Sequence, residues 1–190
     1  DQFKDELIQP ILFSALYKRM SRSWNQFMES SYSSDQLVEF MSRTAKEHLV
    51  EYYSDFLERF PDLIQLADHF STVATVFPQL EYFKTRDSNG NRQYLFFHQV
   101  EAYWKISQFE EGAMLTDDPG LGKTIMLALT AIERLKMQEP SLQNPRRILV
   151  VGNKSVLATW EREVRQRLHM LPIEQINPTI YIDTSQRVTK

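Results

Sequence analysis

The chain has 190 residues, of which 42% are hydrophobic and 25% charged, with a formal net charge of −3 and no cysteine. That length holds one ordinary domain or two small ones, and the balance excludes collagen-like, disulfide-scaffold and largely disordered chains. The missing thiols remove a disulfide framework, a thiolate zinc site and a cysteine nucleophile, and the net charge gives no global basic field that would point to nucleic acid.

Residues 1–90 carry a net charge of −5 and residues 91–190 one of +2, a small asymmetry that leaves only local basic patches. No uncharged apolar run reaches the roughly 18 residues of a membrane span. The N-terminus, Asp1-Gln2-Phe3-Lys4-Asp5, lacks both a starting Met and the basic-then-apolar order of a signal peptide. A stretch cut from a larger, intracellular protein is expected, with no membrane partner.

All five glycines, Gly90, Gly112, Gly120, Gly122 and Gly152, fall in the second half. A Gly-free stretch rich in Leu, Phe, Glu and Gln favours helices, because nothing in it supplies easy left-handed turns. Phe3, Leu7, Ile11 and Ala15 recur at i, i+4 spacing, thickened by Ile8, Leu12 and Leu16, and predict a first helix with a kink or a later start at Pro10. Ser33-Ser34-Asp35-Gln36 is a capping-box pattern that opens a second helix through Leu37, Phe40, Met41, Ala45, Leu49, Tyr52, Tyr53 and Phe56. A third follows Pro61, carries Leu63, Leu66, Ala67, Phe70, Val73 and Ala74, and ends before Pro78. Aromatic stripes at this spacing are core rather than ligand sites. Residues 1–79 are therefore expected to be an all-α region, open to a protein partner.

Residues 80–190 change character. Tyr82-Phe83-Lys84 and Tyr94-Leu95-Phe96 flank Asp87-Ser88-Asn89-Gly90-Asn91, an Asn-Gly hairpin signal. Val100, Tyr103, Trp104 and Ile106 predict another helix. Ala113-Met114-Leu115 is a short apolar run taken as a strand, a helix spans 124–136, and Arg147-Ile148-Leu149-Val150-Val151 predicts a buried parallel strand ended by Gly152-Asn153. A helix from about Ser155 to Leu168 and a strand at Thr179-Ile180-Tyr181-Ile182 complete an alternating α/β pattern.

Between the first of these strands and its helix lies Asp117-Asp118-Pro119-Gly120-Leu121-Gly122-Lys123-Thr124, which departs from G-x-x-x-x-G-K-[ST] only in having Asp at the first position. Gly120 and Gly122 allow the backbone to curl so that successive N–H groups face a phosphate, and the helix start adds its partial positive charge. Lys123 would reach the β- and γ-phosphates and the Thr124 hydroxyl would ligate Mg²⁺. Asp117 and Asp118 cap or hydrogen-bond the turn, a reading preferred over a separate metal site. His48, His69, His98 and His169 have no metal-ligand spacing.

Thr116 to Ile125 is similar to the A-D-E-M-G-L-G-K-T-I of the Swi/Snf-type ATPases, DNA translocases of helicase superfamily 2. Upstream, Leu95-Phe96-Phe97-His98-Gln99-Val100-Glu101 resembles the family's L-R-P-Y-Q-L-E. Downstream, Ile148 to Val151, Ser155-Val156-Leu157 and Trp160-Glu161-Arg162-Glu163 resemble L-I-V-V-P-x-S-L-L-x-x-W-x-x-E. Pro119, His98 and Gly152 stand where the family has Met, Tyr and Pro. The likeness runs over residues 95–167, and residues 1–80 carry none of it.

The resemblance implies a partial RecA-like P-loop lobe, a parallel sheet with flanking helices, after the all-α region. It implies ATP and Mg²⁺ as cofactors, Gln99 as the glutamine that reads adenine, 24 positions before Lys123, and Lys154 with Ser155 as contacts to a phosphate of double-stranded DNA. Each has a plainer alternative: Gln99 as a solvated helix-start residue, Ser155 as a helix N-cap. A nucleosome or another protein–DNA complex is a further implied partner, with a nuclear location if the source is eukaryotic and a cytoplasmic one otherwise. The family's acidic Asp-Glu motif, arginine fingers and second lobe have no counterpart here, so nucleotide binding without hydrolysis is expected of this stretch alone. Two rivals stand beside the translocase: a restriction or phage-defence superfamily 2 motor, and a helical interaction module with a vestigial or regulatory nucleotide site.

Overall fold

The computed structural model of the chain describes residues 2–30, 33, 35–78, 80, 85–86, 92–137, 147–152, 155–160 and 179–184. It divides into two compact units, Asp1–Glu101 and Ala102–Lys190.

The first unit is built on three helices: α1 (Gln2–Glu29), α2 (Asp35–Tyr53) and α3 (Asp62–Ala74). The helix α1 runs through Pro10, which forgoes one backbone donor without ending it. From Leu16 onward α1 buries Leu16, Met20, Trp24, Phe27 and Met28, whereas Leu7 and Ile11 stay 57% and 66% exposed. The stripe at its N-terminal end is thus the less buried part of the helix. The start of α2 follows the capping-box reading, because the Ser33 N–H donates to Gln36 Oε1 at 3.2 Å. Pro61 takes the N-cap position of α3, where its fixed φ of −61° suits the helix entry. Leu37, Met41, Leu63, Phe70 and Val73 then close the core with no exposure.

Aromatic rings set the depth of the packing. Trp24 meets Phe77 and Phe97 edge-on, each with centroids 5.4 Å apart, and its indole N–H donates to the Leu95 carbonyl at 2.9 Å. Phe70 stacks on Phe97 at 4.3 Å. Through Leu95 and Phe97 the bundle takes in the start of α4 (Phe97–Ser107). Ahead of it, β1 (Thr85–Arg86) and β2 (Arg92–Gln93) pair antiparallel with Thr85 opposite Gln93. The strands agree with the hairpin signal, and its Asn-Gly turn lies outside the described residues.

The second unit contains α5 (Lys123–Lys136), a helical stretch over 155–160, and β3 (Arg147–Gly152) paired parallel with β4 (Thr179–Thr184), Ile148 opposite Ile180. The expected fold class is corrected here. The described chain is predominantly helical, its strands form two sheets of two strands each, and no RecA-like parallel sheet with flanking helices is seen among the described residues. Two local reasons stand behind this. Ala113-Met114-Leu115 is irregular rather than a strand: Met114 is 87% exposed, and a strand exists only where a neighbour pairs its backbone. The strand β3 alternates rather than burying both faces, with Val150 buried but Leu149 and Val151 exposed.

Among the described residues no helix is long and apolar enough to cross a membrane.

Replacing Phe70 by Ala should destabilise the first unit by about 3–5 kcal/mol, the usual result of emptying a fully buried aromatic site, read from urea unfolding. A second expectation concerns acid. Burial first, and the Arg19 guanidinium second, hold the His48 imidazole below its ordinary value, against the opposing pull of Glu51 and Glu47. A base whose pKa falls on folding binds protons more readily when unfolded, so its contribution is present above about pH 6.5 and is lost as the pH drops below that. The melting temperature of a His48→Gln variant should therefore fall less on acidification than that of the parent; parallel curves would refute this.

Candidate functional site

The segment that follows α4 runs from Gln108 to Gly122 without regular structure and is largely exposed. It ends in the phosphate-loop sequence, where Gly120 has φ +91° and Gly122 has φ +82°. Residues with a Cβ resist these angles, so the two glycines are what allow the chain to double back just before α5. Open space surrounds the position a Cβ would take at Gly120, so only backbone strain opposes a side chain there.

Gly122 is the N-cap of α5, in the left-handed region, and no side chain caps the helix. The Ile125 and Met126 N–H groups both donate to the Gly122 carbonyl, at 2.9 and 3.2 Å. A helix start without a capping side chain presents its first amides and its partial positive charge outward, a ready anion site.

Lys123 is the first residue of α5, and its ammonium folds back over the loop. The Nζ donates to the carbonyls of Asp117 at 2.6 Å and Asp118 at 2.9 Å. Those contacts pin the ends of the turn and hold the cation at the loop rather than out in solvent. The carboxylates of Asp117 and Asp118 lie on exposed residues, as do Pro119 and Leu121, while Thr124 is half-buried in the first helical turn. The remainder of α5 anchors the assembly, with Met126, Leu129 and Ile132 buried on one face.

The residues present fit a nucleotide phosphate: two glycines at positive φ, an uncapped helix start and a lysine held at the loop. They fit Mg²⁺ only as a companion of that phosphate. The Thr124 hydroxyl would offer one hard oxygen, and no group of three or more His, Cys, Asp or Glu that could hold a metal occurs among the described residues.

Gln99 belongs to the first unit, in the opening turn of α4. It is 5% exposed, and its Oε1 accepts the Phe96 N–H at 3.1 Å while its own N–H donates to the Phe96 carbonyl. The residue is thus buried rather than solvated, and it acts at the helix start as the plainer alternative has it. The side chain completes a capping-box contact at the start of the helix. Beside it, His98 stacks on Phe96 with rings nearly parallel at 5.8 Å. Ser155 is the exposed first residue of the helical stretch 155–160; Lys154 lies outside the described residues.

Arg134, which no motif singles out, adds a further anchor. From the last turn of α5 its guanidinium donates to the Ile106 carbonyl at 3.4 Å and to that of Phe109, closing the C-terminal end of α4. Only its position near a helix end hints at this role in the sequence.

Substituting Gly122 with Ala should cost about 1–2 kcal/mol, because Ala must then adopt the left-handed conformation. It should also weaken ATP binding in a titration. Unchanged stability and affinity would mean that the loop tolerates another geometry.

The profile of a family described as SNF2-related domain matches residues 17–188 of the chain. The match begins within α1, so it takes in the helices of the first unit as well as the phosphate loop. No curated protein and no solved structure matches the chain.

Proposed function

Because the chain belongs to the SNF2-related domain family, a helicase-like, ATP-dependent family that generally acts on DNA, we propose that it forms the ATP-binding end of a double-stranded DNA translocase of the Swi/Snf type. The observation that carries this reading is the loop at the start of α5. Its two positive-φ glycines, uncapped helix start and inward-folded Lys123 suit a triphosphate.

In this reading the amides around Gly120 and Gly122 bind the β-phosphate, and Lys123 exchanges its carbonyl contacts for phosphate oxygens. The Asp117 and Asp118 backbone fixes the loop, with Pro119 and Leu121 completing the turn. Thr124 supplies a ligand to Mg²⁺, which when bound neutralises charge on the β- and γ-phosphates. Gln99 reads the adenine edge, and Lys154 with Ser155 touch a DNA phosphate, adding affinity without sequence preference. Cycles of binding and hydrolysis then shift the grip along one strand, on bare duplex, a nucleosome or another protein–DNA complex, in the nucleus if the source is eukaryotic and in the cytoplasm otherwise.

The test is hydrolysis of ATP by the intact protein with and without duplex DNA, beside its Lys123→Ala variant. Duplex should stimulate turnover, and the variant should lose about 100-fold or more, as removal of a preorganised charge contact does. Turnover that ignores DNA, or that survives the substitution, would overturn the motor and favour a helical interaction module with a regulatory nucleotide site.

A further inference from the structure

The helical bundle holds the Gln99-bearing turn by more than apolar packing. Phe97 and Glu101 lie four residues apart and so share one face of α4. Phe97, 1% exposed, stacks on Phe70 of α3 and meets Tyr17 of α1 edge-on at 5.6 Å. Glu101, whose side chain is 12% exposed, receives one contact from each of the same two helices. The Tyr17 hydroxyl donates to Oε2 at 2.7 Å, and His69 Nε2 lies 2.8 Å from Oε1, donating in the tautomer that carries its proton there.

These two kinds of contact constrain different motions. Apolar burial is non-directional and fixes how deeply a helix sits. Hydrogen bonds weaken steeply when misaligned, so a carboxylate gripped on both oxygens also fixes rotation of the helix about its axis. Rotation matters because Gln99 sits two residues before Glu101 in the same turn. Its side chain is already bound to the Phe96 N–H, so the amide moves with the backbone of that turn. Recognition of a base edge by an amide tolerates displacements of only about 0.5 Å.

We infer that Glu101, held by Tyr17 and His69, is a positioning residue for nucleobase selection, so that the bundle sets how well the protein distinguishes adenine from guanine nucleotides. This rests on the assignment of Gln99 to adenine made above. It gives residues of α1 and α3, which belong to no motif themselves, a part in the chemistry of the site.

The experiment measures the affinities of fluorescent ATP and GTP analogues for the intact protein, with thermal melting in parallel. The variants are Tyr17→Phe, Glu101→Ala, Glu101→Gln and, as a control, Gln99→Glu. Tyr17→Phe keeps the ring between Phe70 and Phe97 and removes only the hydroxyl, so it tests the contact even if Glu101→Ala does not fold. Tyr17→Phe and Glu101→Ala should lower the preference for ATP roughly three- to tenfold, in the range found for networks that act through a neighbour. Glu101→Gln should restore it, since its amide can still accept from Tyr17 and donate to His69. Gln99→Glu keeps the helix-start acceptor and loses the amide donor, so it should abolish the preference. Lower melting with an unchanged preference in Tyr17→Phe and Glu101→Ala, while Gln99→Glu loses it, would overturn the inference and leave the adenine assignment standing. An unchanged preference in Gln99→Glu would overturn the adenine assignment, and the inference with it.

Discussion

The stacking of Phe97 on Phe70, 4.3 Å between ring centres, is the contact on which the first unit's organisation turns. It sits where α3 and α4 meet α1, and four further features depend on it. Tyr17 packs against both rings, Trp24 against the Phe97 ring, the Trp24 indole reaches the Leu95 carbonyl, and Glu101 is carried to Tyr17 and His69. A ring of this size removed from water contributes about 2–3 kcal/mol by area. Its larger effect is geometric, because α4 begins where Phe97 is buried.

This explains where the compact units divide. An α4 read from its apolar spacing alone belongs with whatever follows it. In the structure its first residues, through Glu101, belong to the helical unit and the remainder to the unit that carries the phosphate loop. The family match from residue 17 to residue 188 likewise draws no line between helices and loop. The helices that resemble nothing in motif are thus part of the same family match.

Much of the local structure was legible in the sequence. Ser33 and Gln36 announce α2 by a contact the structure makes; Pro61 sets the start of α3; Gly120 and Gly122 require the positive φ angles they adopt. What could not be read was pairing. Ala113-Met114-Leu115 has the composition of a buried strand, but strand formation depends on a neighbour distant in sequence, and the run stays exposed and irregular. The same holds for Leu149 and Val151, whose apolar character predicts burial that β3 does not give them. Among the candidate site residues, the place of Lys123 at a helix start was visible from spacing. Its attachment to the Asp117 and Asp118 carbonyls was not, since backbone acceptors leave no mark in a sequence. Arg134 and Glu101 were invisible for a related reason, because their partners come from residues 25 and 84 positions away.

Two of the cations of α5, Lys123 and Arg134, have a joint mechanical effect. Lys123, at the start of the helix, holds carbonyls at 117 and 118, and Arg134, near its end, holds carbonyls at 106 and 109. The largely exposed run from Glu110 to Thr116 is therefore a handle fastened at both ends to one rigid rod. Its span is set by the rod and not by its own residues. Doubling the length of such a tethered stretch adds only about 0.6 kcal/mol of closure entropy. The handle can thus grow or accept an inserted segment while the loop at Gly120 keeps its shape, which makes it a place, among the described residues, where this unit can acquire new surface without disturbing that loop.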